Sequence, residues 1–212
     1  MEDTPLAART DNVVIVGAGG LARILCDALG HQGIHICGFL DSREELIGQN
    51  YLGHPVLGTP LNYHDPRYQY ISAIGDPRLK QKLLAPLEAK SAHFFSPASH
   101  FSGSEVTHGV GNFVTPGASI SHHVQLGNHI YVDSAVIVGH DVTIGDYCTI
   151  GAMVFIAGNV QLGPAVAVHP KATIAKGVKV GAGATIGIGS VVLWDVPEGK
   201  TVFGNPARVI SA

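Results

Sequence analysis

A histidine and an aspartate stand side by side at His140 and Asp141, in a stretch made otherwise of aliphatic and small residues. A neutral imidazole can take a proton from a nucleophile near pH 7, because its ordinary pKa is about 6.5. A neighbouring carboxylate can orient the ring or balance its charge. The pair is therefore a candidate general base with a helper, although an exposed turn could carry the same two residues without any chemistry.

Metal binding is a second chemistry to consider, because the chain has 12 histidines. His122 precedes His140 by eighteen residues, and His123 follows His122 directly. Imidazoles about one strand spacing apart are suitable zinc ligands. A zinc site therefore stays an alternative to the general base.

A glycine-rich loop forms the second motif. Gly17, Gly19 and Ala22 fit the dinucleotide-binding pattern G-x-G-x-x-G/A, between an apolar run and a helical pattern. Such glycines let a phosphate approach the backbone N–H groups at the start of a helix. Asp41 ends the next apolar run, where an acid can accept hydrogen bonds from a ribose or base. Alone, the motif suggests NAD or another nucleotide, while a purely structural turn is also open.

The elements that would carry the loop alternate between strand and helix over the first ninety residues. Residues 21–30 have apolar side chains at helical spacing and end at Gly30, a candidate C-cap, and a second helix starts at Pro77. This alternation predicts a small parallel sheet of Rossmann type. We expect residues 1–11 to be flexible and residues 12–92 to form this α/β domain.

The elements around His140 follow a different rule, a period of six residues. Fourteen aliphatic residues occupy every sixth position: Val114, Ile120, Leu126, Val132, Val138, Ile144, Ile150, Ile156, Leu162, Val168, Ile174, Val180, Ile186 and Val192. The period predicts a parallel β-helix of hexapeptide repeats in residues 93–212, with three hexads to a coil. His140, two residues after Val138, then lies at a coil corner and points outward. Pro197 and Pro206 predict a tail that packs outside the helix or caps it.

Composition narrows the class of protein. The net charge is −3 with neutral histidines, which offers no basic patch for nucleic acid. No apolar run reaches the ~18 residues that a membrane span needs. The first residues lack a signal-peptide pattern, so we expect a cytoplasmic protein with reduced, buried thiols at its three cysteines, Cys26, Cys37 and Cys148.

In order along the chain, the segments VVIVGAGGLARIL, GFLDS, AIGDPRLKQKL, VGHDVTIGDYCTIGAM, IAGNVQLG and VFGNPARVI resemble the sugar O- and N-acetyltransferases of sialic-acid and bacillosamine biosynthesis. The resemblance spans Val13 to Ile210. It implies an α/β Rossmann-like domain followed by a left-handed parallel β-helix, assembled as a homotrimer. It also replaces NAD by a nucleotide-linked amino sugar as the ligand of the glycine loop.

The resemblance assigns roles to individual residues. It makes His140 and Asp141 catalytic. It places the sugar nucleotide against Gly17, Gly19, Gly20, Asp41, Ser42, Gly75 and Asp76. Acetyl-CoA lies between β-helices of the trimer, with Gly158 and Ile188 at positions that contact it and Thr149 near its thioester. This chain departs from the family pattern at Leu21 and Thr149, where the family often has histidine, at Asp133, where asparagine is usual, and at Phe95-Ser96-Pro97 between the domains.

The expected function is transfer of acetyl from acetyl-CoA to the amine of a nucleotide-linked sugar, in particular a 4-amino-4,6-dideoxy sugar, for surface glycan biosynthesis. No metal is expected. The nucleotide, whether UDP, GDP or dTDP, and the position of the amine stay open. Three alternatives remain: an O-acetyltransferase acting on a free sugar such as a sialic acid, a zinc hydratase and a non-catalytic scaffold.

Overall fold

The first part of the molecule is an α/β layer built around a six-stranded sheet. In the computed structural model, which describes residues 12–98 and 103–210, the predicted flexible segment 1–11 lies outside the described residues. The elements are β1 (Asn12–Val16), α1 (Gly20–His31), β2 (His35–Leu40), a 3-10 helix (Glu44–Leu46), β3 (Asn50–Tyr51), β4 (His54–Gly58), β5 (Gln69–Ser72), α2 (Pro77–Glu88) and β6 (His93–Phe94). The strand order is β3-β4-β2-β1-β5-β6.

This sheet is parallel except for β3, which pairs with β4 in the antiparallel sense. After Asn12 the central strand β1 is apolar, and its last four residues are fully buried, as expected for a strand covered on both faces. Helix α1 packs Ala22, Leu25 and Leu29 into the core. The predicted Rossmann-type arrangement is confirmed.

One hairpin was not predicted from the sequence, and one predicted helix end differs from the structure. The hairpin of β3 and β4 carries no clear strand signal, since Gly53 and Pro55 interrupt it, and its stability comes from pairing with β2. Helix α1 does not end at Gly30 but continues to His31. Its C-cap is Gln32, followed by the left-handed Gly33 with φ +71°, so the predicted C-cap lies two residues too early.

The second part of the molecule is a left-handed parallel β-helix made of two-residue strands. Its strands are β7 (Thr107–His108), β8 (Phe113–Val114), β9 (Ser119–Ile120), β10 (Gln125–Leu126), β11 (Tyr131–Val132), β12 (Ile137–Val138), β13 (Thr143–Ile144), β14 (Thr149–Ile150), β15 (Phe155–Ile156), β16 (Gln161–Leu162), β17 (Ala167–Val168), β18 (Thr173–Ile174), β19 (Lys179–Val180), β20 (Thr185–Ile186), β21 (Val191–Val192), β22 (Thr201–Gly204) and β23 (Ala207–Val209).

The strands stack into three sheets, in the orders β19-β16-β13-β10-β7, β23-β22-β20-β17-β14-β11-β8 and β21-β18-β15-β12-β9. Partners along β7–β21 are eighteen residues apart, for example Val138 and Ile156. All fourteen predicted aliphatic positions are buried and fill the interior. The period of six therefore corresponds to one side of a coil. The first strand of the β-helix, β7, lacks the aliphatic residue, because the exposed His108 stands at the equivalent position.

The tail caps the β-helix, which is one of the two predicted arrangements. Strand β22 continues one sheet parallel to β20, and β23 folds back antiparallel upon it. Val202 and Ala207 are buried in the interior, so this hairpin closes the end of the helix. The prolines stand outside the strands, with a cis bond between Asn205 and Pro206 in the turn.

Helix α2 ties the two parts together through a buried lysine. Lys80, 1% exposed, donates from Nζ to the carbonyl oxygens of His129 and Cys148, at 3.0 and 3.2 Å, and to Thr149 Oγ1 at 3.0 Å. Burial lowers the pKa of Lys80 to about 7. The contacts fix α2, and the loop before it, against the β-helix. Within the described residues no helix is long and apolar enough to cross a membrane.

Candidate active site

His140 and Asp141 lie at a corner of the β-helix, between β12 and β13. Val138 and Val142, both fully buried, anchor the turn on either side and leave the pair facing outward. Asp141 has a left-handed φ of 57°, which lets the chain bend sharply there. Both side chains are about half exposed, so the imidazole is held by the coil yet open to a ligand.

The two side chains form a hydrogen-bonded dyad. His140 Nδ1 lies 2.6 Å from Asp141 Oδ2. The hydrogen bond with His140 outweighs the opposing effect of desolvation and, together with the charge of His140 and the interactions with His123, holds the pKa of Asp141 below its ordinary value. An ionised Asp141 accepts a hydrogen from Nδ1, which assigns the lone pair of a neutral ring to Nε2. The arrangement is therefore that of a base oriented by a carboxylate.

Gly158 lies one coil beyond His140 at the same corner. A Cβ at position 158 would stand 2.6 Å from His140 Nε2, so the ring rests on space that only glycine leaves open. Asn159 N donates to the His140 carbonyl at 2.9 Å and fixes the spacing of the two turns. In the described part of the chain, the Gly158 N–H has no hydrogen-bond acceptor. A backbone donor thus remains beside the base.

The glycine loop lies at the carboxyl ends of the parallel strands. Gly17 has φ +107° and packs against the backbone of Ala73, so glycine is required there for the turn. Gly19 and Gly20 are exposed, and a Cβ on either would meet nothing within 4 Å. The N-terminus of α1 has no side-chain cap and no acid in its first turn. The open glycines and the uncapped helix start leave room for a phosphate.

Asp41 stabilises the glycine loop through hydrogen bonds. It is 6% exposed and accepts hydrogen bonds from Ala18 N at 2.8 Å and from the backbone and guanidinium of Arg43 at 2.8–3.0 Å. Burial raises the pKa of Asp41, but these hydrogen bonds outweigh it and hold the net pKa below its ordinary value. The contacts use both carboxylate oxygens. Arg43, which sequence reasoning missed, places a half-exposed cation beside the glycines.

The other predicted substrate positions lie at the same sheet edge. Ser42 is exposed between Asp41 and Arg43. Gly75 and Asp76 follow β5, and Asp76 caps helix α2 by accepting from Leu79 N at 2.7 Å. The structure therefore brings the three predicted loops together after β1, β2 and β5, where ligands bind in open α/β sheets.

A cavity of about 300 Å³ joins this edge to the β-helix. Gly75 and Asp76 line it on one side and Asp133, Thr149 and His169 on the other. Thr149, a predicted cofactor contact, has its hydroxyl held by Lys80. A larger cavity of about 750 Å³, lined by Thr143, Gln161 and Lys179 among others, contains none of the predicted site residues.

Within one chain, the predicted residues form separate groups. His140, Asp141 and Gly158 share one corner of the β-helix. Thr149 lies on a different sheet, and Ile188, which is 58% exposed, follows β20 of that same sheet at another corner. His140 does not line the cavity that contains Thr149. In the described ranges, no group of three or more His, Cys, Asp or Glu residues could hold a metal ion.

The thiols occupy two environments, and the prediction that they are buried is correct only for Cys148. Cys148 is buried inside the β-helix, and burial raises its pKa to about 12, as expected of an inert structural thiol. Cys26 and Cys37 are only partly buried, and burial raises the pKa of both. All three are free.

Comparison with known families and structures agrees with both halves of the chain. A model described as the PglD N-terminal domain matches residues 12–87, and one described as bacterial transferase hexapeptide, six repeats, matches residues 123–158. A search among curated proteins found no matching relative.

Several solved structures align over nearly the whole chain. A histidine-to-asparagine mutant of perosamine N-acetyltransferase from Caulobacter crescentus, in complex with CoA and GDP-perosamine, is 27% identical, with a TM-score of 0.86 over 95% of this chain and 97% of that one. The acetyltransferase domain of PglB from Neisseria gonorrhoeae, with acetyl coenzyme A, is 27% identical, with a TM-score of 0.84 over 94% and 99%. WeeI from Acinetobacter baumannii is 26% identical, with a TM-score of 0.84 over 93% and 99%.

Proposed function

We propose that the chain, whose two parts match a PglD N-terminal domain and a hexapeptide transferase, transfers acetyl from acetyl-CoA to the amine of a nucleotide-linked amino sugar. The observation that carries the proposal is the His140–Asp141 dyad at an accessible coil corner, where Asp141 contacts Nδ1 and leaves Nε2 for the acceptor amine. Surface glycan biosynthesis, the role that the resemblance implies, uses sugars of this kind.

The proposed reaction is a direct transfer. His140 Nε2 takes a proton from the sugar amine as the amine nitrogen attacks the thioester carbonyl, forming the C–N bond. The C–S bond then breaks, the sulfur receives the proton that His140 took from the amine, and CoA leaves as its thiol. Asp141 holds the ring with Nε2 forward and balances its charge once it is protonated. The Gly158 N–H supplies a donor for the negative charge that develops on the carbonyl oxygen.

The nucleotide is proposed to bind where the three loops meet. Its diphosphate approaches the open Gly19 and Gly20 at the start of α1, with Arg43 as a nearby cation. Ser42 and the Gly75-Asp76 loop border the same edge. The solved structure with GDP-perosamine makes a GDP-linked 4-amino-4,6-dideoxy sugar the first candidate to test.

The active enzyme is proposed to be a homotrimer. The dyad and the Thr149 cavity lie on different sides of one β-helix, so a second copy is needed to bring a Thr149 face against a His140 corner. The sheet that includes β12 and β15 presents Ile137 and Phe155, 49% and 42% exposed, immediately beside the dyad. Packing this apolar face against a neighbour would enclose acetyl-CoA between subunits.

Thiol release from acetyl-CoA tests the proposal. The panel comprises GDP-, UDP- and dTDP-linked 4-amino-4,6-dideoxy sugars, the matching 4-hydroxy sugars and free sialic acid. We expect turnover with one amino sugar, and a fall of roughly 10²–10⁴-fold in kcat for His140→Ala. Turnover with sialic acid or only with hydroxy sugars would favour O-acetylation. Unchanged turnover in His140→Ala would overturn the catalytic assignment, and no thiol release from any acceptor would contradict transferase activity.

A further inference from the structure

Beside the dyad, one corner of the β-helix carries a vertical column of polar residues. Glu105, His123 and Asp141 are eighteen residues apart, each the left-handed residue of its turn, with φ between 56° and 58°. The in-register pairing of β9 with β12 stacks the last two turns about 4.8 Å apart. Asn159 and Gly177 continue the column in later coils with positive φ. The repeat therefore places these side chains within reach of one another.

The first three members of the column, Glu105, His123 and Asp141, contact one another in chain order. Asp141 directs Oδ2 to His140, and its Oδ1 lies 3.4 Å from His123 Nδ1. The other nitrogen of the same ring, His123 Nε2, lies 2.9 Å from Glu105 Oε2. Both nitrogens of His123 thus face carboxylate oxygens within ion-pair distance.

From this geometry, and resting on the function proposed above, we propose that His123 is a positioning residue that anchors the second oxygen of Asp141 and so holds His140 in its reactive orientation. A carboxylate tethered only through Oδ2 can rotate about its side-chain bonds and carry the imidazole with it. His123 restrains that rotation, and Glu105 in turn restrains His123. These groups are exposed, so their contribution acts on orientation rather than on folding.

The neighbouring histidine does not share this role. His122 Nδ1 lies 3.1 Å from both the backbone N and the hydroxyl of Ser104, so its ring is engaged with the turn below. Its backbone carbonyl accepts a hydrogen bond from Asp141 N at 3.0 Å. His122→Ala therefore removes an imidazole from the same coil while leaving that contact in place, and serves as the matched control.

Two substitutions remove and restore the anchor without straining the turn. His123→Gly deletes the side chain at a left-handed position that suits glycine, as Gly177 does three coils later. His123→Asn returns a donor amide on a side chain that the same position accepts at Asn159. The readouts are kcat, the KM for acetyl-CoA and for the sugar nucleotide, and the melting temperature.

We expect His123→Gly to lower kcat by roughly 3- to 10-fold, the size of effect expected from one exposed contact. Both KM values and the melting temperature stay near wild type, His123→Asn recovers most of the loss, and His122→Ala is unaffected. An unchanged kcat in His123→Gly, or a loss explained by a fall in melting temperature, overturns the inference. If His140→Ala itself keeps full activity, the proposed function fails instead, which is a distinct result.

Discussion

The imidazole ring of His140 occupies the space that a side chain at Gly158, eighteen residues later, would need. A Cβ at position 158 would lie 2.6 Å from Nε2. The backbone of Gly158 has no positive φ, so alanine suits its conformation. A methyl group there would displace the imidazole while leaving the coil intact.

Gly158→Ala is accordingly expected to lower kcat by about tenfold or more without lowering the melting temperature, because it moves the base away from the amine. A double-mutant cycle with His140→Ala provides the check. If the methyl group acts through the ring, adding it to His140→Ala costs nothing further. Additive losses in the cycle would instead place the effect on cofactor binding.

The glycines of the N-terminal loop should separate a folding role from a binding role. Gly17→Ala places a side chain at φ +107° and 3.0 Å from Ile74 Cγ1, so it should reduce the yield of folded protein or its melting temperature. Gly19→Ala meets open space and should fold normally, but raise the KM for the sugar nucleotide by blocking approach of its diphosphate. Equal behaviour of the two variants in melting and kinetics would argue against this division.

Asp41 should make the stability of the α/β domain depend on acid pH. Its pKa in the folded protein is below the value of about 4 in the unfolded chain. The stability that it contributes is therefore complete above about pH 4 and is lost as the pH falls through the lower folded value.

Asp41→Asn should lower the melting temperature at pH 7 by roughly 3–6 °C, since Ala18 N and Arg43 lose a charged acceptor. Thermal melts from pH 7 downward check the sign, because the gap between wild type and Asp41→Asn should close in acid. A gap that widens as the pH falls would contradict the assignment.

Lys80 should produce a pH dependence in the alkaline range. Its pKa is about 7 in the folded protein and about 10.4 in an unfolded chain, so between these values the unfolded state binds the additional proton. The free energy of unfolding of the wild type should therefore rise from pH 7 towards pH 10 through this group.

Lys80→Met fills similar space without a titratable amine, and its unfolding free energy should rise less over that range. Lys82→Met changes an exposed lysine of the same helix and is the control, expected to follow the wild type. Denaturant titrations at pH 7, 8.5 and 10 measure the slopes. Parallel pH dependences for the wild type and Lys80→Met would show that this lysine is not the source.

Phe155 should control assembly and, with it, activity. A carboxylate at position 155 would be buried without a partner in the proposed trimer, so Phe155→Asp should give monomers with little thiol release. Gln161→Asp, on the polar sheet that includes β13 and β16, should remain trimeric. Light scattering after size-exclusion chromatography distinguishes the states, and a trimeric Phe155→Asp would exclude this face.

The sequence predicted the features that depend on the repeat or on residues close together in the chain. The fourteen aliphatic residues specify the coil because burial at every sixth residue has no other regular solution, and the adjacency of His140 and Asp141 allows their hydrogen bond at any coil corner. The glycine pattern likewise located the loop after β1. These features depend on neighbours that spacing along the chain already determines.

Contacts between distant segments carry no such signal. Arg43 reaches Asp41 only because the chain turns back after β2, and Lys80 is buried only because α2 docks on the β-helix. From the sequence alone, a basic residue in a helix is expected to lie at the surface. His123 stood out only as a possible metal ligand, and its contacts with Glu105 and Asp141 emerged only with the register of the stacked turns.

The regular coil also fixes the distances between site residues along the helix axis. Each eighteen residues advance the chain by one strand spacing, so Ile188 lies just under three coils beyond His140, roughly 13 Å along the axis. Deleting a whole coil would shorten this distance by a fixed step while every face kept its direction, whereas deleting one hexad would turn the remaining corners by a third of a revolution. The distance that an acyl carrier must span along the helix axis is therefore set by the number of coils.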